Sequence, residues 1–402
     1  MRQGSRRASS DLEMAMTETN LERRVSDWLD AREGEMISML RDIVNIDSGS
    51  YDKAGVDAVG DAIRLFLERH AVACETIPLD PQGDILRASV RGVGEGRPVM
   101  LLGHRDTVFP KGEAARRPFS VRDGRAYGPG VADMKAGLVM NAFVLAAFQE
   151  LGGAPAPLIG LFTGDEEIGS PGSRAAIEAQ ARDVRAVFNA EPGRPNGAVV
   201  TGRKGGIFFE AEVFGKAAHS GVNFQDGVSA IAELARKILA WTALTDLEAG
   251  TTVNVGLMSG GQSVNTVAPH AVCQIDLRYV QPGDRDRLVE AIRAIAERCD
   301  HPMARGAIAI RGEFLPLAQS PASKALFDAY VSSAAQVGFA VDGAFTGGCA
   351  DSGFTAGVGA PTLCAVGPVG GGAHSPGEYL DAATIVPRAK ALALTVLRLG
   401  PA

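Results

Sequence analysis

PLIGLFTGDEEIGS, residues Pro157–Ser170, begins as an apolar run and ends in three consecutive carboxylates, Asp165, Glu166 and Glu167. The short apolar block Leu158–Phe162, bounded by Pro157 and Gly164, reads as a fully buried strand. Adjacent carboxylates repel one another, so such a cluster at a strand end calls for solvent or a positive partner. The same grammar recurs nearby. Val99–Leu102 leads into His104, and Ala186–Phe188 leads into Glu191. Between these runs, Lys135–Leu151 (KAGLVMNAFVLAAFQEL) is apolar nearly all round, the pattern of a helix buried against a sheet. Helical periodicity also marks Trp28–Ile46 and Val56–Leu67. The expected class is α/β, a mainly parallel sheet flanked by helices.

The 402 residues, 46% hydrophobic and 22% charged, exceed what one core usually holds, so two domains are expected. A net charge of -7 with no long basic run beyond the first few residues argues against a nucleic-acid partner and for a small-molecule one. Five scattered cysteines without CxxC spacing suggest neither a disulfide framework nor a zinc ribbon. A reducing, cytoplasmic setting is expected. Residues 1–20 are polar, lack the apolar stretch of a secretory signal and read as a disordered lead. No later segment is expected to reach an uninterrupted membrane-spanning length, and no membrane partner is expected.

Beyond Gly202–Gly206 the texture changes. Ile207–Phe214, Thr251–Met258, Ala271–Val280 and Ala307–Ile310 read as strands, and Ser229–Trp241 and Asp284–Arg298 as helices. The order β-α-β-β-α-β is a split βαβ unit that can fold as an inserted domain. A helix over Ser323–Val337 and a strand over Thr362–Val366 resume the first texture. The expected division is a catalytic domain over 21–203 and 316–402, interrupted by an insertion over 204–315.

On this frame His104, Glu166, Glu167, Glu191 and His374 each lie just past an apolar strand, the edge where open α/β sheets bind ligands. Asp133 precedes the buried helix and reaches the same edge. Two imidazoles with several carboxylates form the ligand chemistry of zinc or a similar divalent metal. His104 and Asp106, two apart on an extended segment, share a face, so the carboxylate can accept the imidazole's second N–H.

The motifs GHRDTV, GPGVADMKAG, TGDEEIGS, AEP, GKAAHSG and GGGAHSPGEY, in this order between about Leu40 and Ile385, resemble those of the co-catalytic zinc aminoacylase and carboxypeptidase superfamily. The resemblance is greatest to its glutamate carboxypeptidase branch. It implies two Zn2+ per chain, with Co2+ or Mn2+ as possible substitutes, bridged by Asp133. One ion would also take His104 and Glu191, and the other Glu167 and His374. Glu166 would be the general base and Asp106 the support of His104. The resemblance further implies a cis peptide between Asp133 and Met134, and a homodimer through the inserted domain in which His219 stabilises the oxyanion in the neighbouring chain's site. Asn265 is a companion of His219. Arg278 and Lys204 match positions that hold the substrate's free carboxylate, and Gly347 and Gly348 would let backbone approach the substrate.

The function expected is hydrolysis of an amide bond that releases a C-terminal amino acid, glutamate or another acidic one, from a peptide or N-acyl conjugate. A deacylase or dipeptidase with the same machinery is the alternative. A non-catalytic protein with structural metals fits less well, because a closed structural site has no use for an unligated acid beside it. Two positions depart from the branch. Arg105, pointing away from the metals, is expected at the pocket rim or in a surface ion pair. Cys349, often serine in the branch, is expected to be a packed thiol.

Overall fold

The computed structural model describes residues 20–400. The lead expected over 1–20 lies outside them except for residue 20, which already begins a helix over 20–30. That helix and Glu33–Val44 are separate elements, parted by a turn at Ala31 and Arg32. Arg32 folds back so that its guanidinium sits 3.8 Å from the centroid of the Trp28 indole.

The chain divides into two compact units. Of the described residues, one comprises 20–201, 319–345 and 358–400, and the other 202–318 and 346–357. The expected division assigns residues 346–357 to the catalytic domain; they group instead with the insertion. Arg203 donates to the main-chain carbonyls of Gly348 (3.2 Å) and Cys349 (3.0 Å), and Phe354 stacks on Phe314 with centroids 5.6 Å apart. Local sequence carries no sign of partners that distant.

The first unit holds an eight-stranded sheet ordered Ala73–Ile77, Ile85–Val90, Leu158–Thr163, Val99–His104, Ala186–Asn189, Thr362–Cys364, Val199–Arg203, Gly343–Thr346. Its centre is parallel: Leu158–Thr163 pairs with Val99–His104, which pairs with Ala186–Asn189, which pairs with Thr362–Cys364. Antiparallel pairing begins at Ile85–Val90 on one side and at Val199–Arg203 on the other. The register sets His104 opposite Thr163, and Leu102 opposite Asn189. The segments carrying Glu166, Glu167 and Glu191 thus leave the sheet at the edge where His104 ends its strand.

Against this sheet lies the helix Ala136–Glu150, buried at every position from Ala136 to Phe148. Helices Glu33–Val44, Lys53–Arg69 and Ile385–Leu399 cover its other sides. Complete burial accounts for the absence of a polar face. Among the described residues, Val131–Glu150 is long and apolar enough to cross a membrane, which corrects the expectation that no segment would be. Its apolar 18-residue window is 94% buried, as in the core helix of an α/β unit. Burying each large side chain here contributes about 1.5–3 kcal/mol. Gly137 lets the helix approach closely: a Cβ there would lie 2.0 Å from the Ala190 carbonyl oxygen.

A second, small antiparallel sheet joins Ser120–Arg122, Arg125–Tyr127, Tyr379–Asp381 and Gly370–Gly371. Its last two strands flank the loop that carries His374 and Glu378.

The second unit has strands Gly205–Phe214, Thr252–Gly260, His270–Tyr279 and Arg305–Phe314, with helices Ala230–Thr242 and Arg285–Glu297. The antiparallel sheet order is Thr252, His270, Gly205, Arg305, by first residue. This is the βαββαβ arrangement read from the sequence. Strand Gly205–Phe214 alternates strictly over most of its length, and its inward Ile207, Phe209, Ala211 and Val213 form a core with Trp241, Leu277 and Ile292. The Trp241 indole N–H finds the Ile292 carbonyl at 3.0 Å, so its one polar atom is satisfied.

Candidate metal centre

Asp106 organises the first half of the site. It is fully buried, and its Oδ2 accepts from the Ser50 hydroxyl at 2.7 Å. Its two oxygens also accept the main-chain N–H groups of Glu166 and Glu167, each at 3.1 Å. The carboxylate therefore pins the DEE turn to the GHRDTV strand end. His104 Nδ1 lies 3.0 Å from the Asp106 main-chain oxygen and 3.3 Å from its Oδ1. Both acceptors place the ring proton on Nδ1 and turn Nε2 toward the other carboxylates.

The third acid of the triplet, Asp165, has a different task. Its Oδ2 accepts from Gly172 N (2.6 Å) and Ser173 N (3.1 Å), and its Oδ1 accepts from the Ser173 hydroxyl. It ties down the loop behind the turn. The three consecutive carboxylates thus point three ways, which relieves much of their mutual repulsion.

Around His104 Nε2 lie Asp133 Oδ1 at 3.4 Å, Glu191 Oε1 at 3.6 Å and Glu166 Oε2 at 3.8 Å. Around His374 Nε2 lie Glu167 Oε2 at 3.2 Å and Asp133 Oδ2 at 3.4 Å. Asp133 thus offers one oxygen to each histidine. Burial pushes the His104 imidazole down, but Glu166 and then Asp106, Asp133 and Glu191 raise it well above its ordinary value. Asp133 and Glu167 raise His374 to about 10. Burial opposes the charge on Asp133, but the two imidazoles outweigh it and hold its carboxyl well below the usual range. Glu167 is pushed up, first by burial and then by Asp133, although His374 opposes this.

Asp133 is placed by two backbone features, the cis peptide that the resemblance implies and a carboxylate that the sequence reading does not single out. The peptide between Asp133 and Met134 is cis. Glu378, wholly buried, accepts the main-chain N–H groups of Gly130 (3.0 Å), Ala132 (2.9 Å) and Asp133 (3.0 Å). One carboxylate thus gathers the turn that carries Asp133. The GEY triplet inside GGGAHSPGEY is the signal that carries it.

This donor set fits metal ions. Two ligands roughly 2.0–2.1 Å from one ion in tetrahedral geometry lie about 3.3 Å apart, close to the His–carboxylate separations around both imidazoles. Asp133 Oδ1 and Glu167 Oε1 are buried without a hydrogen-bond donor, a costly state unless a cation fills it. His104, Asp133 and Glu167 lie within reach of one ion, and so do His104, Glu166 and Glu191. The second grouping places Glu166 among ligands rather than apart from them. At 3.8 Å it is the most distant oxygen around His104 Nε2.

The remaining expected residues lie in the second unit. Arg278 Nε donates to Asp276 Oδ1 and its Nη1 meets Cys349 Sγ, both at 2.8 Å. Cys349 is therefore in contact with Arg278, and burial pushes its thiol up while Arg278 pulls it down. Lys204 Nζ donates to Gly250 O at 2.5 Å, and the Gly348 carbonyl accepts from Arg203. His219 is exposed; its Nδ1 accepts from Gly221 N and its main-chain N–H donates to Asn223 Oδ1, each at 3.1 Å. Asn265 is brought close, since its main-chain oxygen accepts from Ser220 N at 3.0 Å.

Arg105 corrects an expectation. It is neither at a rim nor in a surface ion pair. Its side chain is buried and donates to the main-chain carbonyls of Thr163 (3.1 Å), Val56 (3.3 Å) and Asp84. Burial lowers it to about 10, against the pull of Asp57, Asp106 and Asp84. It ties the helix Lys53–Arg69 to the strand ends.

The family model described as Peptidase family M20/M25/M40 matches residues 100–398, which span the strand ends, the insertion and the His374 loop. The chain belongs to this family. Carboxypeptidase G2 from Pseudomonas sp. (strain RS-16) is 29% identical over 91% of this chain and 89% of its own length. Acetylornithine deacetylase from Myxococcus xanthus is 33% identical over half of this chain and 56% of its own length. The M20 family metallo-carboxypeptidase of Sulfolobus solfataricus shares the fold, with a TM-score of 0.75 at 18% identity, over 90% of this chain and 98% of that one. Enzymes of this family are metal-dependent hydrolases, in agreement with the donor set.

Proposed function

We propose that the protein is a dinuclear metallohydrolase that releases a C-terminal amino acid, glutamate or another acidic one, from peptides or N-acyl conjugates. One observation carries the reading: Asp133 is shared between two His–carboxylate clusters, beside a pair of adjacent glutamates whose amides a single aspartate holds. His104, Asp133 and Glu191 would hold one ion, and Asp133, Glu167 and His374 the other, zinc being the metal that best suits this N/O set. When bound, such ions polarise the scissile carbonyl and acidify water.

The protein's own residues supply the rest. Asp106 fixes the tautomer of His104 and the direction of the DEE turn. Glu166 accepts the proton of the attacking water and passes it to the departing amine. In the insertion, Arg278 recognises the free carboxylate of the released residue, a role suited to the planar guanidinium fork that Asp276 and Cys349 hold in place. Lys204 and Gly348 assist it. His219, with Asn265, stabilises the oxyanion in the site of a second copy, so the working form is a homodimer paired through the insertion.

The acidic preference rests on Arg278 and Lys204, and the likeness to carboxypeptidase G2 supports removal of a C-terminal residue. The likeness to acetylornithine deacetylase keeps a deacylase as the second reading. The deciding assay offers metal-loaded protein a panel of N-acyl amino acids, dipeptides and their amides, and identifies the amino acid released. Release from N-acyl-glutamate and Xaa-Glu, with amidated forms inert, is expected. Equal turnover of free acids and amides would refute carboxylate recognition.

A further inference from the structure

One buried cation of the first unit has no part in the chemistry proposed above. Lys135, 1% exposed, stands two residues after Asp133 and leads into the helix Ala136–Glu150. Its Nζ donates to the Ile46 carbonyl at 2.8 Å; among the described residues it has no other hydrogen-bond acceptor and no carboxylate at ion-pair distance. Burial opposes its charge, and Glu378 and Asp47 favour it from farther off. An ammonium carries three donors, so burying one with a single acceptor is costly. A methionine of nearly the same length would fill the space without that cost. The lysine is therefore better explained by what its bond joins than by the stability it adds.

On one side of the bond is the turn over residues 130–135. The Lys135 N–H closes this turn on the Gly130 carbonyl at 3.0 Å, while Glu378 gathers the N–H groups of Gly130, Ala132 and Asp133. Gly130, at φ 71°, leaves room for the lysine stem: a Cβ there would stand 3.5 Å from Lys135 Cδ and 2.5 Å from Thr107 Cγ2.

On the other side is the loop over residues 46–50. Asp47 accepts the main-chain N–H groups of Gly112 (2.7 Å) and Ala114 (2.8 Å). Thr107 N donates to Ser48 O at 2.8 Å, and Ser50 N donates to Thr107 O at 3.3 Å. The Ser50 hydroxyl reaches Asp106 at 2.7 Å. The loop is thus sewn to the GHRDTV strand end, and the Lys135 bond carries it across to the Asp133 turn. The metal centre draws on both sides, since Asp106 orients His104 while Asp133 offers one oxygen to each histidine. Ligands that hold two ions have to keep their mutual positions closely.

We infer that Lys135 is a positioning residue of the metal centre: it ties the turn that carries Asp133 to the loop that carries Ser50, and so keeps the shared carboxylate in register with His104 and the Glu166–Glu167 turn. The role rests on the dinuclear reading above and adds a third anchor to Asp106 and Glu378.

The test compares wild type, Lys135→Met, Ser50→Ala and the double variant by melting of the metal-free protein, chelator competition and the visible spectrum of the Co2+-loaded form. Lys135→Met is expected to melt at or above the wild type, to bind metal about 10–100-fold more weakly and to shift the Co2+ bands. On any substrate turned over, kcat should fall with KM little changed. Because both residues act through one loop, the double variant should lose less affinity than the product of the single losses. Wild-type affinity and spectrum in Lys135→Met overturn the role. So do a lowered metal-free melting point or a failure to fold, either of which makes Lys135 a residue of the fold, and so do losses that simply multiply in the double variant. A wild type that binds no metal overturns the dinuclear reading together with the inference. Two ions bound, with the expected losses in Lys135→Met but no amide cleaved, sustain the anchor and overturn only the hydrolase reading.

Discussion

Glu166 and Glu167 are neighbours in sequence, yet Glu167 faces His374 and Glu166 faces His104 at the longest separation in its cluster. If Glu166 is the base, Glu166→Gln keeps both metals and lowers kcat by about 10²–10⁴-fold. Elemental analysis beside kinetics checks this, and loss of metal would make Glu166 a ligand. Glu378 lies 245 residues from Asp133, so no local pattern joins them. Glu378→Ala leaves three main-chain N–H groups without their acceptor and should weaken metal affinity by about 10–100-fold, measured by chelator competition. The imidazoles also set a pH dependence. In the metal-free protein Asp133 and Glu167 raise His374 to about 10, and His104 is raised as well. A metal must displace those protons at neutral pH, so affinity rises with pH by about tenfold per unit for each proton displaced. Calorimetry in buffers of differing ionisation enthalpy reads the released protons directly. Affinity flat between pH 6 and 8 would contradict raised values.

Among the elements, the helix Ala136–Glu150 shows how packing overrides propensity. Gly137→Ala should add about 1 kcal/mol of intrinsic helix stability. The new methyl, however, meets the Ala190 carbonyl oxygen at 2.0 Å, one residue before Glu191. Overpacking of this kind costs about 1–3 kcal/mol, so the variant is expected to be less stable on balance and to bind metal less tightly. A urea melt with parallel metal analysis tests both, and a higher midpoint would show that the strand end yields. Burial of this helix is legible because its apolar residues leave no polar stripe. The break at Ala31 and Arg32 is not, because apolar spacing continues through it.

At the scale of the whole molecule, the proposed dimer separates shared from self-contained sites. Mixing His219→Ala chains with Glu166→Gln chains should restore activity if His219 acts on the partner, since one heterodimer site then carries neither lesion. The His219→Ala homodimer alone should lose about 10²–10³ in kcat. Subunit exchange without recovery, or an active monomer, would sink the shared site. The order of the insertion's elements is readable because each strand and helix has its own period. Its extent is not, since residues 346–357 join it through Arg203, Arg278 and Phe314.

By itself the sequence determined the class of sheet, the βαββαβ insertion and the identity of the strand-end acids and imidazoles. Each of these depends on periodicity or on residues a few positions apart. Tertiary structure alone decided which oxygen meets which imidazole, that Asp165 turns away from the cluster, and that Arg105 is buried against three carbonyls. It also decided that Glu378 holds the Asp133 turn and that Lys135 joins that turn to the loop of Ser50. Those facts depend on contacts between segments far apart in the chain, whose directions are fixed by packing and main-chain hydrogen bonding rather than by any local pattern.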